Sequence, residues 1–92
     1  MYRISYIQRL PFTEIKIDRS FISKIDDEGT LAIVRTIIQL ANNLNMESIA
    51  EGIETVEQLS ILQSMGCQSG QGFYFYKPMP LKEVDELLRL QL

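Results

Sequence analysis

Three times along this chain a short apolar run ends in a polar residue and gives way to a stretch with helical signals. The three junctions are Lys16-Ile17-Asp18, Ala50-Glu51-Gly52-Ile53-Glu54-Thr55 and Gln71-Gly72-Phe73. Strands that alternate with helices imply right-handed parallel crossovers, so this pattern restricts the chain to an α/β fold. It also places three polar groups at the carboxyl ends of strands, the edge at which parallel sheets leave room for a ligand.

The local signals agree with that order. Ile4 and Ile7 have helical spacing within Tyr2 to Arg9, and Pro11 stops that helix. Thr13 to Asp18 alternates as a strand, with Ile15 and Ile17 on one face and Lys16 and Asp18 on the other. A helix is expected from about Thr30 to Leu44, with Ile33, Ile37, Leu40 and Leu44 as its buried stripe and Asn45 in the left-handed cap position. Glu47 to Glu51 reads as a second strand. Thr55 and Gln58 form a capping box opening a helix to Met65, closed by Gly66. Gly70 to Tyr76 reads as a third strand. Pro78 and Pro80 end it before a last helix carrying Val84, Leu87 and Leu88.

With 92 residues, one domain is the ceiling. Three parallel strands cannot close a barrel, and parallel strands ordinarily have both faces covered, so the architecture expected is part of a larger (βα) barrel. A second copy is the simplest source of the missing cover, and a dimer or higher oligomer is expected, with the helix at Tyr2 to Arg9 as the element to reach across. A net charge of −3 lacks the basic excess that nucleic-acid binding requires. No apolar run approaches the roughly 20 residues of a membrane span, and no signal-peptide core opens the chain. A cytoplasmic segment without membrane contact is expected. The single Cys67 permits no intrachain disulfide and reads as a buried small hydrophobe. Histidine is absent, so chemistry on this chain falls to carboxylates, lysine or amides.

Taken by themselves, the polar landmarks admit bland readings. Lys16 also suits an exposed strand edge, and Glu51 and Glu54 also suit the neighbourhood of a helix N-terminus. Gln71, between two glycines, indicates close backbone approach, and Phe73 to Tyr76 suit packing better than a ligand-stacking surface.

The segments Lys16-Ile17-Asp18-Arg19-Ser20-Phe21, Ala50-Glu51-Gly52-Ile53-Glu54-Thr55 and Gln71-Gly72-Phe73, with Lys77-Pro78 beyond, resemble the EAL family of cyclic di-GMP phosphodiesterases. The resemblance runs from Ile4 to Leu88 and keeps the family's motif order. It implies a TIM-like barrel, of which residues 1–92 are the C-terminal portion: the last three βα units with a preceding helix. It also implies hydrolysis of one phosphodiester bond of cyclic di-GMP to linear pGpG with magnesium or manganese, in bacterial second-messenger signalling. By the same resemblance, Glu51 matches the carboxylate that contacts the metal pair, and Gln71 the amide that helps hold the metal-bound water. Lys16 matches the catalytic lysine that orients or activates that water, and Glu54 a glutamate that supports the site's loops.

The chain departs from the family pattern in lacking the Glu-Ala-Leu segment, the family's Asn and Glu ligands, and its paired aspartates. Two readings follow. In the first, the chain is part of a phosphodiesterase and inactive in isolation. In the second, it is a separate truncated module beginning at Met1, associating with itself or with another EAL or GGDEF-type segment.

Overall fold

The computed structural model describes residues 14–72 and 75–90. The helix expected at Tyr2 to Arg9, with Pro11, lies outside the described residues, as do Phe73 and Tyr74. Strand β1 (Glu14–Ile17) is followed by a short helix α1 (Arg19–Ile22) and a long helix α2 (Glu28–Asn43). Then come β2 (Glu47–Ile53), α3 (Val56–Ser64), β3 (Ser69–Gly72), β4 (Phe75–Pro80) and α4 (Leu81–Arg89). The strands form one sheet in the order β1-β2-β3-β4.

Caps explain most of the helix boundaries. The Asp18 carboxylate accepts from the Ser20 N–H at 3.0 Å and from the Ser20 hydroxyl at 2.6 Å, and so starts α1. No helical periodicity announces so short a helix. Asp27 accepts from the Thr30 N–H at 3.0 Å, so α2 begins at Glu28, two residues earlier than expected. Both carboxyls are held below their ordinary range, mainly by these bonds from Ser20 and Thr30, which favour the ionised form. At the far end of α2, Asn45 takes φ +57°, and the Met46 N–H returns to the Ala41 carbonyl at 2.8 Å, the left-handed termination expected there. The capping box of α3 is complete: Gln58 N–H donates to Thr55 Oγ1 at 3.1 Å, and Thr55 N–H donates to Gln58 Oε1 at 3.2 Å.

Two expectations are corrected. The third strand, expected over Gly70 to Tyr76, is two strands. β3 runs parallel to β2, whereas β4 runs antiparallel to β3, with Gly70 opposite Met79 and Gly72 opposite Phe75. High β-propensity continues through the reversal, and no turn dipeptide interrupts it, so alternation alone does not reveal a change of direction. Pro78 sits in β4, at the end of the sheet order, where a missing N–H disturbs no second ladder.

The second correction concerns α2. Its buried residues are Val34, Ile38 and Ala41, whereas Ile33 is 48% exposed and Leu40 52% exposed. Ile37 is partly buried and Leu44 half-buried. The helix carries two apolar stripes one residue apart, and periodicity fits both. The one that packs brings Ala41 to the sheet in place of a bulkier leucine, which allows closer approach.

All four helices contribute to one apolar core on a single face of the sheet. Ile22 and Ile25 join Val34 and Ile38, Leu59 and Leu62, and Leu81, Val84 and Leu88 around Ile17, Ala50 and Ile53. Cys67 lies in this core with its thiol directed at the Ser48 and Ser69 carbonyls, at 3.7 and 3.5 Å. Burial pushes the thiol's pKa up, so it stays protonated and inert, as expected of a small buried hydrophobe.

Candidate functional site at the carboxyl end of the sheet

Register determines which side chains share the face opposite the helices. Ile17, Ala50 and Gly70 are register partners on the helix side. Residues in register on parallel strands point the same way, so Lys16, Ile49 and Ser69 form the adjacent row on the opposite face. One step further toward the carboxyl end, Glu51 lies directly beside Gln71. Neighbouring strands are about 4.8 Å apart, and two residues advance a strand by about 6.6 Å, which puts the Lys16 and Glu51 backbones about 8 Å apart. Three of the four expected site residues therefore come together on one face: Lys16, Glu51 and Gln71.

The environments of the three differ. Lys16 is exposed at the end of β1, while Glu51 and Gln71 are half-buried. The side-chain oxygen of Gln71 is screened from solvent. An ammonium two positions from a carboxylate and a carboxamide makes a mixed polar surface, able to hold a phosphate oxygen and a water at once.

Glu54 stands apart from this group. It is exposed just before α3, its backbone N–H donates to Gln58 Oε1 at 2.8 Å, and it borders a cleft with Thr55, Glu57, Leu88 and Arg89. Arg89 is itself paired with Asp85 at 2.7 Å.

Two features of this face had no sequence signal. The Ser69 hydroxyl donates to the Glu47 carboxylate across β2 and β3, which ties the row beneath the candidate site. Arg19, taken from the sequence only as part of a motif, lies against the Gly52 backbone beside Glu51.

No group of three or more carboxylate, cysteine or histidine side chains is gathered in a metal-binding arrangement among the described residues. Glu51 and Gln71 are a single carboxylate and a single amide, whereas a hard divalent cation takes six or more oxygens. The described residues therefore do not build a metal site by themselves. No helix among them is long and apolar enough to cross a membrane.

Comparison with known proteins shows the family of the chain. The family model described as the EAL domain matches residues 1–78. The cyclic di-GMP phosphodiesterase NbdA of Pseudomonas aeruginosa is 39% identical over 87 residues, covering 94% of this chain and 11% of the relative. The bifunctional diguanylate cyclase/cyclic di-GMP phosphodiesterase MucR of the same organism is 44% identical over 80 residues, covering 86% of this chain and 12% of the relative. Among solved structures, the PaMucR phosphodiesterase in complex with c-di-GMP superposes with a TM-score of 0.68 at 41% identity, covering 88% of this chain and 33% of that one. The chain thus spans about a tenth of the length of these two curated relatives. Its sheet and helices match part of the TIM-like barrel of such domains, and the chain belongs to the EAL domain family.

Proposed function

We propose that residues 1–92 are the C-terminal portion of a cyclic di-GMP phosphodiesterase domain, which opens one phosphodiester bond of the cyclic dinucleotide to give linear pGpG. The observation that carries this reading is the pairing of Glu51 with Gln71 at the carboxyl end of β2 and β3, with Lys16 on the same face. In that role the Lys16 ammonium orients the attacking water and offsets negative charge as it builds on the phosphate. The Gln71 carboxamide fixes the water through hydrogen bonds. The Glu51 carboxylate belongs to the donor set for magnesium or manganese, which supplies Lewis-acid activation when bound in a complete domain. Glu54, at the start of α3, supports the loops around the site.

The chain alone is expected to be inactive, because one carboxylate and one amide do not assemble the donor set. In a complete domain carrying this segment, Lys16→Ala or Glu51→Ala is expected to lower turnover by about 100-fold or more, with the circular dichroism spectrum unchanged. Separation of cyclic di-GMP from pGpG by chromatography, with manganese present, measures both. Near-normal turnover in Glu51→Ala, or pGpG formed by the isolated chain in proportion to its concentration, would overturn the assignment.

One observation favours a second reading, in which the chain acts as a non-catalytic module by self-association. Among the described residues, α2 holds Ile33 and Leu40 half-exposed beside Ile37. A second copy supplies a matching apolar surface. Light scattering at micromolar concentration decides it, since a cooperatively unfolding monomer excludes this reading.

A further inference from the structure

The register of β2 against β3 slips by one residue at Gly52. Glu51 pairs with Gln71, and the next pair is Ile53 with Gly72. Strict alternation would turn Ile53 to the same face as Glu51. The slip lets Glu51 face the side opposite the helices while Ile53, two residues later, is 1% exposed in the core beneath the helices. This geometry needs φ +79° at Gly52, a conformation glycine adopts without steric cost.

The structure also shows what lies against that slip. A Cβ built on Gly52 would overlap Arg19 Cγ and lie 3.0 Å from Arg19 Cβ and 3.2 Å from Arg19 Cδ. The aliphatic stem of Arg19 therefore occupies the space next to the Gly52 backbone, one residue beyond Glu51. Arg19 is itself anchored as the first residue of α1, whose start is capped by Asp18 at the end of the strand that carries Lys16. A continuous line of contacts thus links the Lys16 strand to the backbone that aims Glu51.

We propose that Arg19 is a positioning residue for Glu51: its hydrocarbon stem holds the Gly52 slip and so directs the Glu51 carboxylate to the side of Gln71. The functional meaning of that aim rests on the role proposed above for Glu51. The geometry itself is tested without reference to turnover.

The test uses the isotope-labelled 92-residue chain and compares Arg19→Ala, which removes the stem, with Arg19→Met, which keeps an unbranched stem and removes the charge. The readouts are the carboxyl-carbon resonance of Glu51 and amide exchange at Ile53, with thermal melting as the control for global folding. Arg19→Ala is expected to displace the Glu51 resonance and to speed exchange at Ile53 roughly tenfold, while Arg19→Met stays within about twofold of the parent chain. Gly52→Ala supplies a second measurement: its effect on Ile53 exchange is expected to be smaller in the Arg19→Ala background, where the overlapping stem is gone, than in the parent. Unchanged readouts in Arg19→Ala, equal effects of Ala and Met, or purely additive behaviour with Gly52→Ala would overturn the proposal. Should Arg19→Ala fail to fold, displacement of the Glu51 resonance in the folded Arg19→Met variant would overturn it as well. Because the readouts report Glu51 directly, loss of the catalytic reading through full turnover in Glu51→Ala would be seen separately.

Discussion

The two faces of the sheet are built on opposite principles. The helix side is closed by Ile17, Ala50 and Ile53 against residues from all four helices. The other side carries a Glu47–Ser69 hydrogen bond, then Lys16 beside the buried Ile49, then the Glu51–Gln71 pair toward the carboxyl end. Adjacent residues of one strand serve the two purposes: Ile17 is buried next to exposed Lys16, and Ala50 is buried next to Glu51. Period-two geometry therefore separates stability from chemistry, so changes on one face should leave the other largely intact.

The strongest way to break that comparison is a cavity on the closed side. Ile38→Ala removes a side chain with no exposed surface and is expected to cost about 2 to 5 kcal/mol in urea denaturation of the chain. A cost below about 0.5 kcal/mol would mean that α2 packs otherwise than described.

Overfilling the same side should do less. At Gly70 a Cβ would meet Ile53 Cδ1 and lie 3.1 Å from Leu81 Cδ2, both ends of flexible side chains. Gly70→Ala is expected to cost about 1 to 3 kcal/mol by the same measurement, while the Glu51 carboxyl resonance on the opposite face holds its position.

Acid tests the caps, which belong to neither face. Asp18 and Asp27 have folded pKa values below their unfolded ones, so each contributes stability that is present above the unfolded value. That contribution is lost as pH falls through the lower folded value. Helicity followed by circular dichroism should decline below about pH 4, and Asp27→Asn, which still caps α2 through its side-chain oxygen, should flatten part of that decline.

The smallest effect sharpens the comparison within α2 itself. Leu40→Ala is expected to change stability by only about 0.5 kcal/mol, because Leu40 is half-exposed although it lies two positions from Ile38 on the same helix. A loss matching that of Ile38→Ala would restore the stripe Ile33, Ile37, Leu40 and Leu44 as the buried one.

Local chemistry was legible where a few neighbouring residues decide the outcome. The Thr55–Gln58 capping box needs only a spacing of three, and the left-handed Asn45 needs only the end of a helix. The alternation of strand and helix, and with it the α/β class, follows from apolar periodicity. The placement of Lys16 and Glu51 near strand ends was likewise readable, whereas Gln71 moved from the start of the strand expected over Gly70 to Tyr76 to the end of β3.

Other features depended on what each segment meets in space. Two neighbouring stripes of α2 are both apolar, and only the contour of the sheet chose Val34, Ile38 and Ala41. The antiparallel return of β4 follows from pairing with β3, which alternation cannot specify. The slip at Gly52 separates Glu51 from Ile53 by face although they lie two residues apart, and the stem of Arg19 packs there across a gap of more than thirty residues in sequence. Periodicity reports what one element prefers by itself, whereas register, stripe and slip are settled by close packing between elements, where one face must fill without overlap.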